Sequence, residues 1–179
     1  MSQAKYGPID QIGYLVDDLD ASIQRWITLM GVGPWTVFRN VRLDGRYRGH
    51  AGVVTMDVGL AYQGNVQVEL IKITNETPSP YRDAAGKPIL GIHHLAWVVD
   101  NLEAAVARAK GDGFKVAFEA SNPATRVAYM EADQEPGVLF EFIEGEGMRE
   151  MINAGIVAAR NWDSSSPFHI IDLSAGDRL

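Results

Sequence analysis

Cysteine is absent from all 179 residues. That absence removes disulfides, zinc–thiolate centres and cysteine nucleophiles together. Histidine is scarce, with four residues, His50, His93, His94 and His169, so any imidazole chemistry must be built from these. Basic side chains are outnumbered, 16 Lys and Arg against 23 Asp and Glu, for a formal net charge of −7. Nucleic acids and anionic membranes both require clustered Lys and Arg. The chain has no such cluster, so neither is expected as a partner. No apolar run nears the roughly 20 residues that span a bilayer, and "MSQAKYGPID" lacks the apolar core of a secretory signal. A soluble cytoplasmic protein is the expectation. A glycine-rich dinucleotide fingerprint at a strand-to-helix turn is also missing, which sets aside nicotinamide and flavin chemistry.

What is present is an ordinary globular composition, 46% apolar and 22% charged, in a length that suits one domain or two small units sharing a core. Within it, "IHHLAWVVDN" (92–101) places two histidines at the mouth of a strand-like apolar run. Taken alone, such a pair reads as one buried residue satisfied by a hydrogen bond and one facing water, because a strand alternates its faces.

An internal repeat changes that reading. "IDQIGYLVDDLDASIQRW" (9–26) aligns with "IHHLAWVVDNLEAAVARA" (92–109) at a constant offset of 94 − 11 = 83, without a gap. Ile9 meets Ile92, Gln11 meets His94, Asp17 meets Asp100, Leu19 meets Leu102 and Arg25 meets Arg108. Each copy reads as a short strand, an acidic turn and a helix. Asp17 or Asp18, and Asp100 or Asn101, are the candidate N-caps, with the first residue of each pair the leading choice. Leu102, Ala105, Val106 and Ala109 recur at the spacing of one buried helical face. β-type stretches follow, "WTVFRNVR" and "GVVTMDVGLAYQ" in the first half, "FKVAFEA" and "TRVAYMEAD" in the second. The halves close on "GNVQVELIKI" (64–73) and "GVLFEFIEG" (137–145). Each half is therefore expected to be βαβββ, joined by the Pro- and Asn-containing "TNETPSPYRDAAGKP" (74–88).

Each closing strand carries one glutamate in an apolar run. Alternation puts Glu69 on the face of Gln67 and Ile71, and Glu141 on the face of Leu139 and Ile143. Neither face suits water. An unpaired ionised carboxylate on an apolar face is costly, so a cation is the natural partner.

The doubled pattern, with a polar residue early in each first strand and a glutamate in each last one, resembles the vicinal oxygen chelate superfamily. That group includes glyoxalase I, methylmalonyl-CoA epimerase, extradiol dioxygenases and antibiotic-resistance proteins. The resemblance covers roughly residues 8–145. "GVGPW", "YRG", "NETPSPYRD" and "GIHHLAWVVDN" look most like the glyoxalase-like branch near methylmalonyl-CoA epimerase. It implies an α+β fold, two tandem βαβββ modules forming a cupped mixed sheet around a metal site, plus a C-terminal helix. The expected layout is a single domain over 1–179. Module 1 covers about 8–75, a linker 76–90, module 2 about 91–145, and a helical extension 146–179.

The family's metal positions fall on Gln11, Glu69, His94 and Glu141. His94 is preferred over His93 because it directly precedes Leu95, as Gln11 directly precedes Ile12. One imidazole, one amide carbonyl and two carboxylates suit an octahedral divalent ion, with Mn, Mg, Co, Ni, Fe or Zn all compatible. Extradiol dioxygenases use two histidines and a carboxylate on iron. Gln11 occupies the first of those histidine positions here, which disfavours oxygenase chemistry. A similar Gln/Glu/His/Glu set occurs in some glyoxalase I enzymes, whereas methylmalonyl-CoA epimerases resemble His/Gln/His/Glu, so the chain departs from them at Gln11 and Glu69.

The resemblance implies a divalent-metal-dependent isomerase, epimerase or lyase. It would act through a metal-stabilised enolate or enediolate of a small carbonyl, 2-oxo or thioester substrate. Glu141 and Glu69 are the candidate catalytic bases. The alternative is a non-catalytic small-molecule-binding protein of the same fold. Trp35, Phe38, Arg48, Tyr62 and Arg82 are candidate substrate contacts, the arginines because guanidinium holds a carboxylate bidentately. "MREMINAGIVAARNWD" (148–163) has Met148, Met151, Ile152, Ile156 and Ala159 at helical spacing, an amphipathic helix laid on the body or on a second subunit of an expected homodimer. "SSSPFHIIDLSAGDRL" is expected to wrap the surface or cover a pocket mouth, with His169 structural.

Overall fold

The computed structural model describes residues 4–174. The first half runs β1 (Gln11–Leu15), α1 (Leu19–Met30), β2 (Trp35–Tyr47), β3 (His50–Gln63) and β4 (Val66–Ile73). The second repeats that order with β5 (Gly91–Val98), α2 (Leu102–Gly111), β6 (Lys115–Ser121), β7 (Arg126–Glu131) and β8 (Leu139–Glu144). Then come α3 (Met148–Arg160) and β9 (Phe168–Asp172).

The helix starts follow the capping chemistry, but at the second of each candidate pair. Asp18 accepts from the Ala21 amide at 3.0 Å, and Asn101 from the Ala104 amide at 2.7 Å. Asp17 and Asp100, the favoured choices from sequence, lie one residue too early. An N-cap side chain must reach the amide three positions on, and only Asp18 and Asn101 stand at that distance from the first free amides. α2 buries Leu102, Ala105, Val106 and Ala109, the four residues of the apolar stripe. Full burial of a Leu or Val side chain is worth about 1.5–3 kcal/mol, so this stripe, with Ala128, Met130 and Phe142 beneath it, anchors the helix.

The strand order β3-β4-β1-β5-β8-β7-β6-β2 closes on itself through β2–β3, giving an eight-stranded barrel with β9 outside it. β2 is long enough to use its second edge twice. Asp44–Tyr47 pair with β6, and Trp35–Arg39 pair in parallel with β9. The sequence pattern implied a cup; the outer half of β2 turns the cup into a ring. Inside lie Leu15, Leu43, Met56, Ile71, Phe118 and Ile143. α1 covers one outer face through Leu19 and Ile23, and α2 covers the opposite module. α3 buries Ile152 and Ile156 against Val98 and Tyr62.

Three features depart from the sequence pattern. β9 lies within the tail expected to wrap the surface or cover a pocket mouth, where no strand was foreseen; the Trp35 amide bonds the Pro167 carbonyl at 2.8 Å and leads it onto β2. Second, the linker is not wholly on the surface. Ser79, Pro80 and Tyr81 are buried, and Tyr81 enters the barrel core. Third, β5 shifts register between its pairs Gly13↔His94 and Tyr14↔Ile92. His93 has no partner at this bulge, so alternation fails there and both histidines are buried, against the expectation of one buried and one exposed.

Candidate metal site inside the barrel

Strand register assembles the site. One row across the sheet runs Gln67, Gln11, Ala96, Glu141 and Tyr129, on β4, β1, β5, β8 and β7. The next runs Glu69, Gly13 and His94. The two small residues, Ala96 and Gly13, sit between the larger ones, and the His94 ring occupies the space over Gly13.

Nε2 of His94 lies 3.1 Å from Oε1 of Gln11, 3.1 Å from Oε2 of Glu69 and 3.1 Å from Oε2 of Glu141. His94 is fully buried, while Glu69 keeps 15% of its side chain exposed. Glu69, His94 and Glu141 can offer ligand atoms within 4.8 Å of one another. Two observations fit these residues to a divalent ion. Donors at right angles on an ion about 2.1 Å away stand about 3 Å apart, the spacing seen here. Oε2 of Glu141 is also buried without a hydrogen-bond partner among the described residues, a costly state that a cation would relieve.

Neighbouring groups orient the donors. Nε2 of Gln11 donates to Oε1 of Gln67 at 2.7 Å, and Nε2 of Gln67 donates to the Tyr62 hydroxyl at 2.6 Å. The amide of Gln11 is thereby fixed with its oxygen toward His94. Gly155 on α3 gives Tyr62 its place, since a Cβ there would lie 2.1 Å from the ring. On the far side, the Tyr81 hydroxyl donates to that of Tyr129 at 2.9 Å. His93 stacks on Tyr81 with ring centroids 4.8 Å apart. Its Nδ1 is 3.0 Å from Nδ1 of His94, and its Nε2 is 2.9 Å from the Pro80 carbonyl.

Burial dominates the electrostatics. It pushes the Glu141 carboxyl up to about 7; His94 opposes the shift, Glu69 adds to it and a hydrogen bond from Tyr129 opposes it. Burial alone would lower His94, but Glu141 and Glu69 outweigh it and raise the imidazole. His93 is lowered to about 3 by burial and then by His94, against a smaller opposing effect of the Pro80 carbonyl. Burial and then Glu141 hold the Tyr129 phenol well above its ordinary value.

Of the substrate contacts expected from sequence, Tyr62 comes to the site's edge. Trp35 does not. It lies in the core beneath α1, its indole N–H bonded to the Val32 carbonyl at 2.9 Å. Phe38 is half-buried where β2 pairs with Val58 and Ile171. Arg48 makes two 2.8 Å bonds to Glu131, and Arg82 bonds the Gly86 and Asn75 carbonyls. Both arginines line a cavity of about 530 Å³ that His93 and Leu139 also border. His169 is exposed on β9. Gln67, Gly13 and Tyr129 belong to the site although the sequence pattern did not single them out. Gln67 shares the Glu69 face and was within reach of strand alternation, whereas Tyr129 needed the β7–β8 register.

A family model described as the glyoxalase/bleomycin resistance protein/dioxygenase superfamily matches residues 10–129. The chain belongs to that superfamily. Two solved structures share its fold. A methylmalonyl-CoA epimerase from Mycobacterium tuberculosis is 18% identical, with a TM-score of 0.55 over 84% of this chain and 96% of the other. The hypothetical protein BH1468 from Bacillus halodurans C-125 is also 18% identical, with a TM-score of 0.55 over 78% and 94%. No curated protein matches. Among the described residues, no helix is long and apolar enough to cross a membrane.

Proposed function

We propose that this superfamily member is a divalent-metal-dependent isomerase or epimerase, or a glyoxalase-type lyase, acting on a small carbonyl, 2-oxo or thioester substrate through an enolate or enediolate. The observation that carries the reading is the placing of Gln11, Glu69 and Glu141 oxygens at 3.1 Å around one imidazole nitrogen of His94. These four side chains would hold the ion. When bound, a divalent cation supplies Lewis acidity toward a substrate oxygen and stabilises negative charge developing next to it.

The protein's own groups supply the rest. Glu141, buried beside His94, is suited to take a proton from carbon once its carboxylate loosens from the ion. Glu69, the more exposed carboxylate, is suited to return one. Tyr129 and the Gln11–Gln67–Tyr62 chain hold these groups in place. On this reading the two βαβββ halves are duplicated units of one domain, about 8–75 and 91–145, joined around the site, with α3 packed on Val98 and Tyr62.

Elemental analysis of the purified protein, with isothermal titration of the chelated form, tests the proposal. About one equivalent of divalent metal, lost when His94 or Glu141 is replaced by Ala, is expected. Protein that takes up none, or variants that keep it, would sink the reading.

A further inference from the structure

The bulge that buries His93 places its ring between a group that can only accept a hydrogen bond and a nitrogen of the candidate ligand. The Pro80 carbonyl has no proton to give, so the 2.9 Å contact requires an N–H on Nε2 of His93. A neutral imidazole carries one N–H, which leaves Nδ1 of His93 as an acceptor. The 3.0 Å contact between the two Nδ1 atoms then requires the proton to be on His94. The remaining nitrogen of His94, Nε2, is the one that faces Gln11, Glu69 and Glu141.

We propose that His93 is a positioning residue that keeps a proton on Nδ1 of His94 and so presents Nε2 as the ligand atom. His93 acts on the ligand set proposed above and depends on that reading. Groups around the ring agree with the assignment. Tyr81 stacks on one face of His93 at a 20° interplanar angle, and Tyr129 meets it at 67°, so the ring cannot turn over without displacing buried aromatics. His93 is buried and, among the described residues, its ring nitrogens meet only the Pro80 carbonyl and His94, so no carboxylate favours a charged ring and Nδ1 stays an acceptor. The order of donors does not depend on whether His94 itself is singly or doubly protonated, because Nδ1 carries a proton in both forms. The partner that orients a ligating imidazole is commonly a carboxylate, a carbonyl or water. Here a second imidazole stands in that place and passes the orientation on to a backbone carbonyl.

Long-range nitrogen–proton NMR on the full chain labelled with ¹⁵N-histidine reads the protonation of each ring nitrogen directly. His93 is expected to be protonated at Nε2 alone, and His94 at Nδ1, with and without added zinc. Zinc titration of His93→Phe, which keeps a flat ring beside Tyr81 but removes the acceptor, should show affinity lower by about 10–100-fold. His93→Asn, which restores an acceptor near Nδ1, should recover most of that loss. A proton on Nδ1 of His93, a bare Nδ1 on His94, or His93→Phe with wild-type affinity would overturn the proposal. Should His93→Phe fail to fold, the wild-type NMR pattern and the Asn variant still decide. Wild-type protein that binds no zinc, manganese or magnesium would overturn the ligand-set reading itself, whereas a wrong tautomer in a metal-binding protein overturns only the role of His93.

Discussion

A Cβ placed on Gly13 would lie 2.0 Å from Cε1 of His94 and 2.2 Å from its Nε2, so the imidazole occupies space that exists only because residue 13 has no side chain. Gly13→Ala should therefore push the His94 ring off its neighbours. Overpacking a tight interior costs about 1–3 kcal/mol, and the variant should melt lower than wild type. It should also lose metal affinity by more than tenfold while its strands remain, on the expectation that orientation of a ligand matters as much as its presence. Wild-type affinity in Gly13→Ala, measured by titration calorimetry, would show that the ring is free to sit elsewhere.

The ligands themselves predict a graded series. His94→Ala and Glu141→Ala should each abolish stoichiometric metal uptake. Glu141→Gln should bind better than Glu141→Ala, because the amide oxygen can still coordinate, yet it should be slower in turnover by orders of magnitude, because an amide is a very poor base. Equal turnover by Glu141→Gln and wild type would move the base to Glu69.

Protons set the pH dependence of the metal-free protein. Glu141 has a folded pKa of about 7, above its ordinary 4.5, so its contribution to stability is complete below about 4.5 and is lost as pH rises through about 7. His94, also raised, adds to the fall on the alkaline side. His93 works in the opposite sense: lowered to about 3 from 6.5, it favours the folded state above 6.5 and withdraws that support as pH falls toward 3. An arriving cation must displace protons from both Glu141 and His94, so metal affinity should climb as pH rises through about 7. At a hundredfold excess over Kd, binding stabilises by about 2.7 kcal/mol, or roughly 5–10 °C in Tm for a chain of this size. The gain from metal should be larger at pH 8 than at pH 5.5. Thermal melts with and without chelator check this, and a gain that shrinks with rising pH would contradict it.

Much of this site is visible in the order of residues alone. The 83-residue offset pairs Gln11 with His94, and alternation within "VELI" and "FEFI" puts Glu69 and Glu141 on apolar faces. These are local periodicities, and local periodicity is what a sequence displays. His93 defeated the same rule, because a bulge depends on how β5 meets β1 and leaves no mark on either strand alone. Tyr81 was hidden for a similar reason: its burial follows from the space that Phe118 and Tyr129 leave, on strands far along the chain. β9 was missed because its partner is the vacant inner half of a β2 edge whose outer half is taken by β6.

Chemistry gives a prediction independent of metal affinity. Once a substrate is in hand, turnover in deuterated water should place deuterium on the carbon beside the chelating oxygen, detected by mass spectrometry. Molecular oxygen should be dispensable. Product that carries atoms from labelled oxygen gas would assign the chain to dioxygenase chemistry instead, despite Gln11.

The two halves should also fail to stand apart. Residues 1–86 alone would leave β1 without β5 and β2 without β6, exposing Leu15, Leu43 and Ile71. This fragment should be unfolded or self-associating by sedimentation and circular dichroism. A cooperative, monomeric melt would contradict it.

Pairing of Asp44–Tyr47 with Phe118–Ser121 gives the halves a second seam besides β1–β5. A body stitched along one line can swing open like a book; one stitched along two cannot. The two seams should therefore give way together, because releasing one still leaves the halves held at the other.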